Sequence, residues 1–103
     1  MIAGVSEKET IVIKKILAPY AEIYEFYFYG SRVKGTFGKT SDLDILIKGV
    51  AEMPLSVLEE LKEKFDDSSL SYIVNFSDYN KIDKVFYDHI KKDLVSVFWT
   101  VSQ

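Results

Sequence analysis

The chain has 103 residues, 48% hydrophobic and 28% charged, a balance typical of a globular protein with a single domain over residues 1–103. It contains no cysteine, which excludes a disulfide framework and a zinc–thiolate site. The net charge of −3 disfavours direct DNA binding. No apolar stretch approaches the roughly 20 residues that cross a bilayer, so we expect a cytoplasmic protein without membrane contact.

The predicted elements of the first half are a helix, a strand and a glycine-rich connection. Ser6 to Glu9 have the S-x-x-E form of a capping box, which predicts a helix start there, and Pro19 ends that helix. Glu22 to Tyr29 are rich in Tyr, Phe and Ile and predict the first strand. The residues that follow include Gly35 and Gly38, which predict a loop or one short helical turn.

The second half predicts two further strands, each followed by a helix. Asp42 to Ile47 and Leu70 to Phe76 are the predicted strands. One helix is predicted to begin near Pro54, and Ile82 to Ile90 carry the apolar spacing of the last helix. The tail from Leu94 to Val101 fits either an extension of that helix or a short edge strand. We therefore expect an α/β (α+β) fold with a small mixed β-sheet flanked by helices.

Gly30 and Ser31 follow directly after the first predicted strand. Glycine lets the backbone turn and approach a ligand closely, and Ser31 offers both a hydroxyl and an N–H group to a phosphate. A short helix that begins here would aim its first N–H groups at an anion. The basic side chain of Arg32 comes next and is a candidate for a further phosphate contact.

Two carboxylates, Asp42 and Asp44, lie two residues apart at the start of the second predicted strand. Side chains alternate between the faces of a strand, so both acids project from one face with their Cα atoms about 6–7 Å apart. Two carboxylates at that spacing can converge on one hard cation, and Mg²⁺ binds one or two carboxylates together with phosphate oxygens. Either motif alone is a common surface feature, whereas their combination predicts a metal–nucleotide site.

The combined pattern is Gly-Ser, ten residues, and then Asp-x-Asp. It resembles the motif of the minimal nucleotidyltransferases of the DNA polymerase β superfamily, and the elements around it are similar too, so the resemblance covers nearly the whole chain. It implies that Gly30 and Ser31, with Arg32 beside them, bind the phosphates of ATP. It also implies that Asp42 and Asp44 are catalytic and bind two Mg²⁺ ions, which would stabilise the attacking and leaving oxygens of an in-line displacement.

One position departs from the superfamily pattern. These proteins use a third carboxylate on the next strand to hold the catalytic metal and to deprotonate the attacking hydroxyl, and the aligned residue here is Asn75. An amide offers a carbonyl oxygen but has no charge and cannot act as a base. The loss of general-base catalysis alone lowers a rate by about 10²–10⁴-fold. Asp78 is the nearest alternative acid, and its other interpretation is a turn residue that caps the last helix.

The resemblance leads to two functional hypotheses. Minimal nucleotidyltransferases are commonly paired with a helical HEPN-type ribonuclease toxin, and some act as antitoxins by transferring AMP from ATP to a tyrosine of that toxin. This implies a protein adenylyltransferase that forms a hetero-oligomer with its partner, while a homodimer is also compatible with the sequence. The alternative, supported by Asn75, is a catalytically degenerate binding module that neutralises its partner by contact.

Overall fold

The computed structural model describes residues 2–98 of the chain. Within this range the chain forms helices and strands in the order α1, β1, α2, β2, α3, β3, α4, β4. The helices are α1 Glu7–Leu17, α2 Ser31–Lys34, α3 Leu55–Asp66 and α4 Lys84–Ile90. The strands are β1 Glu25–Tyr29, β2 Leu43–Lys48, β3 Val74–Asp78 and β4 Val95–Ser96. None of the helices in residues 2–98 has the length and apolar character needed to span a membrane.

The starts and ends of the first helices follow from local sequence signals. The Ser6 hydroxyl accepts a hydrogen bond from the Glu9 N–H at 3.1 Å, and the Glu9 carboxylate accepts one from the Ser6 N–H at 2.9 Å. This is the predicted capping box, which pairs two backbone donors that a helix start otherwise leaves without partners. Pro19 lies in the 3₁₀ turn Ala18–Tyr20 directly after α1, and α3 begins immediately after Pro54, also as predicted.

The four strands form one mixed sheet in the order β3-β2-β1-β4. β2 is parallel to β3 and antiparallel to β1, while β4 pairs with β1 antiparallel at the edge. This confirms the predicted fold class, and the described part of the tail contains the short edge strand β4, Val95–Ser96, rather than an extension of the helix. The end of the predicted tail segment, residues 99–101, lies outside the described residues.

Both faces of the sheet are covered by helices. Helices α1 and α3 pack on one face, where Ile13, Leu17 and Leu61 lie against Phe26 and Ile45. The opposite face packs against α4 and its flanking turns in a smaller cluster of buried residues: Tyr29, Leu46 and Ile90. The alternation along β2 explains this arrangement, since Leu43, Ile45 and Ile47 join the first core while Asp44 and Leu46 lie on the second face.

Three predicted boundaries are wrong. β1 begins at Glu25 rather than at residue 22, after the segment that contains the exposed Ile23. β3 begins at Val74 rather than at residue 70 and continues to Asp78, because its pairing partner β2 extends alongside it as far as Ile47. α4 begins only at Lys84, where the Asp83 carboxylate accepts a hydrogen bond from the Phe86 N–H at 2.7 Å and sets the helix start.

Candidate functional site

The candidate site lies at the edge of the sheet where β1 ends and where β2 and β3 begin. Tyr29 pairs with Asp44 across β1 and β2, and Asp44 pairs with Asn75 across β2 and β3, so one row of the sheet joins all three strands. Gly30 follows Tyr29 directly, and Asp42 precedes β2 by one residue. The sheet therefore brings the two halves of the sequence motif, which are ten residues apart along the chain, to the same edge.

Gly30 adopts a backbone conformation that only glycine accepts readily, with φ 88° and ψ −159°. A Cβ atom built at this position would lie 2.3 Å from the Oδ2 atom of Asp44. The Asp44 carboxylate thus occupies the space that any other residue at position 30 would fill with its own side chain. Glycine is required here for its backbone angles and for this close approach, and the contact connects the Gly-Ser turn to the Asp-x-Asp strand.

Ser31 opens α2, a single helical turn that confirms the predicted short helix between the first two strands. The Gly30 carbonyl accepts hydrogen bonds from the N–H groups of Val33 and Lys34, at 3.0 and 3.1 Å, which fixes the turn. Gly35 ends it with φ 85°, the left-handed conformation common at helix C-termini. Ser31 is partly exposed at the start of this turn, beside the glycine that contacts Asp44.

Asp42, Asp44 and Asn75 form the polar cluster of the site. The Asn75 amide donates a hydrogen bond of 2.8 Å to the Oδ2 atom of Asp42. Burial raises the pKa of the Asp44 carboxyl above its ordinary value, a hydrogen bond from Asn75 opposes that rise, and repulsion by the Asp42 carboxylate adds to it. Asn75 thus lies against both acids, and its alignment with the third carboxylate of the superfamily stays a prediction.

The side chains at this edge are oxygen donors of the kind that Mg²⁺ prefers, namely two carboxylates and an amide. Within residues 2–98 no group of three or more His, Cys, Asp or Glu side chains could hold a metal ion. A pair of acids is nevertheless sufficient for Mg²⁺ when phosphate oxygens and water complete its six ligands. The donor set therefore fits a metal that arrives with a nucleotide better than one held by the protein alone.

Arg32 is buried, with only 5% of its surface exposed. Its guanidinium donates to the carbonyl oxygens of Gly4 at 2.6 Å, of Ser41 at 2.9 Å and of Lys39 at 3.2 Å. These bonds direct it toward the loop that leads into Asp42. The side chain that the sequence offered as a phosphate contact thus has a well-defined structural role, and its contact with nucleotide stays a prediction.

Asp78 does not belong to the site, so its interpretation as the alternative catalytic acid is wrong. It pairs with Ile47 at the opposite end of β3, and it is buried. Its two carboxylate oxygens accept hydrogen bonds from the N–H groups of Met53 at 2.7 Å and Asn80 at 2.9 Å. It also does not cap the last helix, because that position is taken by Asp83.

No sequence signal indicated the contacts that Tyr29 and Arg32 make in the structure. The Tyr29 hydroxyl lies 2.8 Å from the Ser77 hydroxyl of β3. The Phe86 ring of α4 packs edge-on against the ring of Tyr29. The Arg32 guanidinium lies over the rings of Tyr72 and Phe37, at 3.9 and 5.2 Å. The contacts of Tyr29 and the contact of Arg32 with Tyr72 join segments far apart in sequence, whereas periodicity and short motifs report only neighbours along the chain.

A mixed sheet with Gly-Ser after one strand and two acids at the start of the next defines the class of nucleotidyltransferase-fold proteins. The profile of the family described as "Polymerase beta, Nucleotidyltransferase" matches residues 12–100, and the chain belongs to this family.

Among individual proteins, the chain is similar to the probable protein adenylyltransferase MntA of Haemophilus influenzae. The two are 35% identical over 95 residues, which cover 90% of this chain and 82% of the relative. The fold of this chain is similar to that of a chain in the crystal structure of a toxin–antitoxin with AMP-PNP, with a TM-score of 0.72. The two chains are 22% identical, and the match covers 89% of this chain and 74% of the other. A chain in a crystal structure of the toxin–antitoxin MntA-HepT matches with a TM-score of 0.65 and 18% identity, and the match covers 92% of this chain and 74% of that chain.

Proposed function

We propose that this chain binds ATP together with Mg²⁺ at Gly30, Ser31, Asp42 and Asp44, and that it transfers AMP to a toxin partner as the antitoxin of a toxin–antitoxin pair. The observation that carries the proposal is the position of the Asp44 carboxylate against Gly30, since it joins the predicted phosphate-binding turn to the predicted metal-binding acids. The similarity to a protein named as an adenylyltransferase supports AMP as the transferred group. The fold shared with toxin–antitoxin structures supports a toxin as the acceptor.

The transfer is a displacement at the α-phosphorus of ATP. A hydroxyl oxygen of the acceptor, a tyrosine in our proposal, forms the new bond to phosphorus, and the bond to the bridging oxygen of pyrophosphate breaks. Gly30 and Ser31 hold the phosphates, while Asp42 and Asp44 hold Mg²⁺, which when bound offsets the negative charge on the reacting oxygens. Asn75 cannot accept the hydroxyl proton, so that proton passes to solvent. We expect slow transfer, in the cytoplasm where ATP and Mg²⁺ are available.

Asn75 also favours a second candidate function, in which the chain neutralises its partner by contact without transferring AMP. In the structure the Asn75 amide faces both acids and supplies neither charge nor a base. In the superfamily pattern the third carboxylate helps to hold the catalytic metal ion, and Asn75 brings no charge to that task. In either case we propose a helical, HEPN-type toxin as the partner, in a hetero-oligomer with this chain.

Incubation with radiolabelled ATP, Mg²⁺ and the proposed helical, HEPN-type partner distinguishes the two functions. Wild type, Asp44→Ala and Asn75→Asp are compared for label on the partner and for loss of toxin activity. We expect slow labelling by wild type, none by Asp44→Ala, and labelling by Asn75→Asp that is faster by about 10²-fold or more, because a general base is restored. If neither wild type nor Asn75→Asp labels a partner that mixing alone inactivates, the contact function replaces the enzymatic one.

A further inference from the structure

Arg32 is a buried cation that donates hydrogen bonds to backbone carbonyl oxygens and contacts aromatic rings. Its guanidinium donates from Nε to the Ser41 carbonyl at 2.9 Å and from Nη2 to the Lys39 carbonyl at 3.2 Å. Its Nη1 atom donates to the Gly4 carbonyl at 2.6 Å. Burial of a charge is costly unless hydrogen bonds compensate it, and these bonds provide that compensation.

The same guanidinium lies over two aromatic rings. Its central carbon is 3.9 Å from the centre of the Tyr72 ring and 5.2 Å from that of Phe37. Tyr72 comes from the segment before β3, and Phe37 comes from the loop between α2 and β2. Stacking of this kind fixes the plane of the guanidinium and therefore the directions in which its N–H groups point.

These contacts connect the two halves of the site through one side chain. Arg32 is the residue after Ser31, and Ser41 is the residue before Asp42, so the bond between Arg32 and the Ser41 carbonyl spans the loop between the motifs. Two hydrogen bonds within the loop connect the same residues: the Gly38 N–H donates to the Ser41 hydroxyl at 2.8 Å, and the Ser41 N–H donates to the Gly38 carbonyl at 3.2 Å.

The N-terminal segment also contacts Arg32, through Gly4. The Gly4 N–H donates to the Arg32 carbonyl at 3.0 Å, and a Cβ atom on Gly4 would lie 2.4 Å from the Cβ atom of Arg32. Glycine at position 4 thus permits direct packing of this segment on α2. The backbone and the side chain of Arg32 are both held in place.

We infer that Arg32 is a positioning residue, which sets Asp42 for metal binding by holding the Ser41–Asp42 peptide at a fixed distance from the Gly-Ser turn. The inference deepens the proposed function and rests on it for the role of Asp42. It also replaces the direct phosphate contact expected from the sequence, because the guanidinium is already engaged with the loop. Geometry rather than charge is what Arg32 supplies, and a lysine cannot reproduce its planar set of donors.

The first test uses the protein without ligands. Hydrogen exchange of the Gly38 and Ser41 amides is followed by NMR in wild type, Arg32→Lys, Arg32→Gln and the core variant Leu61→Ala. We expect both Arg32 variants to speed exchange at these two amides. Leu61→Ala is expected to lower the melting temperature without this local effect, because loop amides exchange through local opening. Unchanged exchange at Gly38 and Ser41 in the Arg32 variants would overturn the inference, whatever the protein binds.

The second test measures the affinity for a nonhydrolysable ATP analogue with and without Mg²⁺ by calorimetry, at a temperature where every variant is folded. We expect Arg32→Lys and Arg32→Gln to weaken binding in Mg²⁺ by about 10–100-fold, the usual effect of removing a group that orients a metal ligand. Binding without Mg²⁺ changes little. Lys34→Gln, which removes an exposed cation from the same helix, and Leu61→Ala retain wild-type affinity.

The possible outcomes separate the inference from the proposed function. If wild type does not bind the analogue in Mg²⁺, the proposed function fails, and the exchange measurements still decide whether Arg32 holds the loop. If wild type binds and Arg32→Lys binds equally well while Arg32→Gln does not, charge rather than position is the contribution of Arg32. In that case the inference is wrong.

Discussion

At the scale of single residues, the contact between Gly30 and Asp44 determines how the site is built. The backbone of Gly30 has φ 88°, and the Asp44 carboxylate fills the space beside its Cα atom. The sequence pattern identified both residues but not the reason for the glycine. That reason depends on the antiparallel register in which Tyr29 faces Asp44, and no local pattern encodes it.

Replacement of Gly30 by alanine is expected to destabilise the fold and to abolish Mg²⁺–nucleotide binding. The backbone strain alone is worth about 1–3 kcal/mol, and the new methyl group displaces the Asp44 carboxylate. Gly35→Ala is the matched control, since Gly35 has φ 85° but nothing within 4 Å of a Cβ atom. It should lose about 1–2 kcal/mol of stability and keep its nucleotide affinity. Urea unfolding and calorimetry measure the two effects, and wild-type affinity in Gly30→Ala would contradict the account.

The raised pKa of Asp44 predicts a dependence of stability on pH in the metal-free protein. The folded chain binds the Asp44 proton more tightly than the unfolded chain does. The free energy of unfolding therefore falls as the pH rises above 3.8, the ordinary pKa of this carboxyl, and it stops falling once the pKa of Asp44 in the folded chain is passed. Asp44→Asn removes this loss. In EDTA we therefore expect it to raise the melting temperature at neutral pH.

The stability difference between Asp44→Asn and wild type should disappear below both pKa values, at about pH 3. Asp66→Asn is the control, because Asp66 is an exposed acid at the end of α3. Thermal unfolding monitored by circular dichroism makes the comparison. A destabilised Asp44→Asn protein at neutral pH would show that the buried carboxylate is favourable where it lies, contrary to the expectation.

At the scale of elements, the sequence predicted β2 within one residue but placed β3 too early. β2 is mostly apolar, with acids at its start and a lysine at its end, so its local pattern is strong. β3 is set by its parallel pairing with β2, from Leu43 beside Val74 to Ile47 beside Asp78. This pairing depends on residues more than 30 positions away, and it decides which acid reaches the site.

Asp78 stabilises the far end of β3 and has no part in nucleotide binding. Its buried carboxylate accepts the Met53 N–H in front of α3. Asp78→Ala leaves that donor without a partner, so we expect a loss of about 1.5–3 kcal/mol in the free energy of unfolding with unchanged Mg²⁺–nucleotide affinity below the melting temperature. Urea unfolding and calorimetry test both parts. Normal stability with lost binding would return Asp78 to the site.

At the scale of the whole molecule, the sequence predicted the fold class and a candidate site, but not the arrangement of the elements around that site. The motif from Gly30 to Asp44 carries enough information to indicate a nucleotidyltransferase, and the family match confirms that class. The strand order β3-β2-β1-β4 and the burial of Arg32 arise from long-range packing. The proposed dependence of catalysis on Asn75 also rests on the assembled sheet, because the pairing of β2 with β3 is what brings Asn75 beside Asp44.

The central claim is that Asp42 and Asp44 bind Mg²⁺ together with a nucleotide, and calorimetry with Mg²⁺ and a nonhydrolysable ATP analogue tests it most directly. We predict that wild type binds the analogue in Mg²⁺ and that Asp42→Ala and Asp44→Ala each lower its affinity. The loss should exceed the factor of about 10–100 that follows removal of a group that only orients a metal ligand. The exposed Asp66→Ala serves as the charge-matched control and is predicted to bind as wild type does. Equal affinity of wild type, Asp42→Ala and Asp44→Ala would contradict the account.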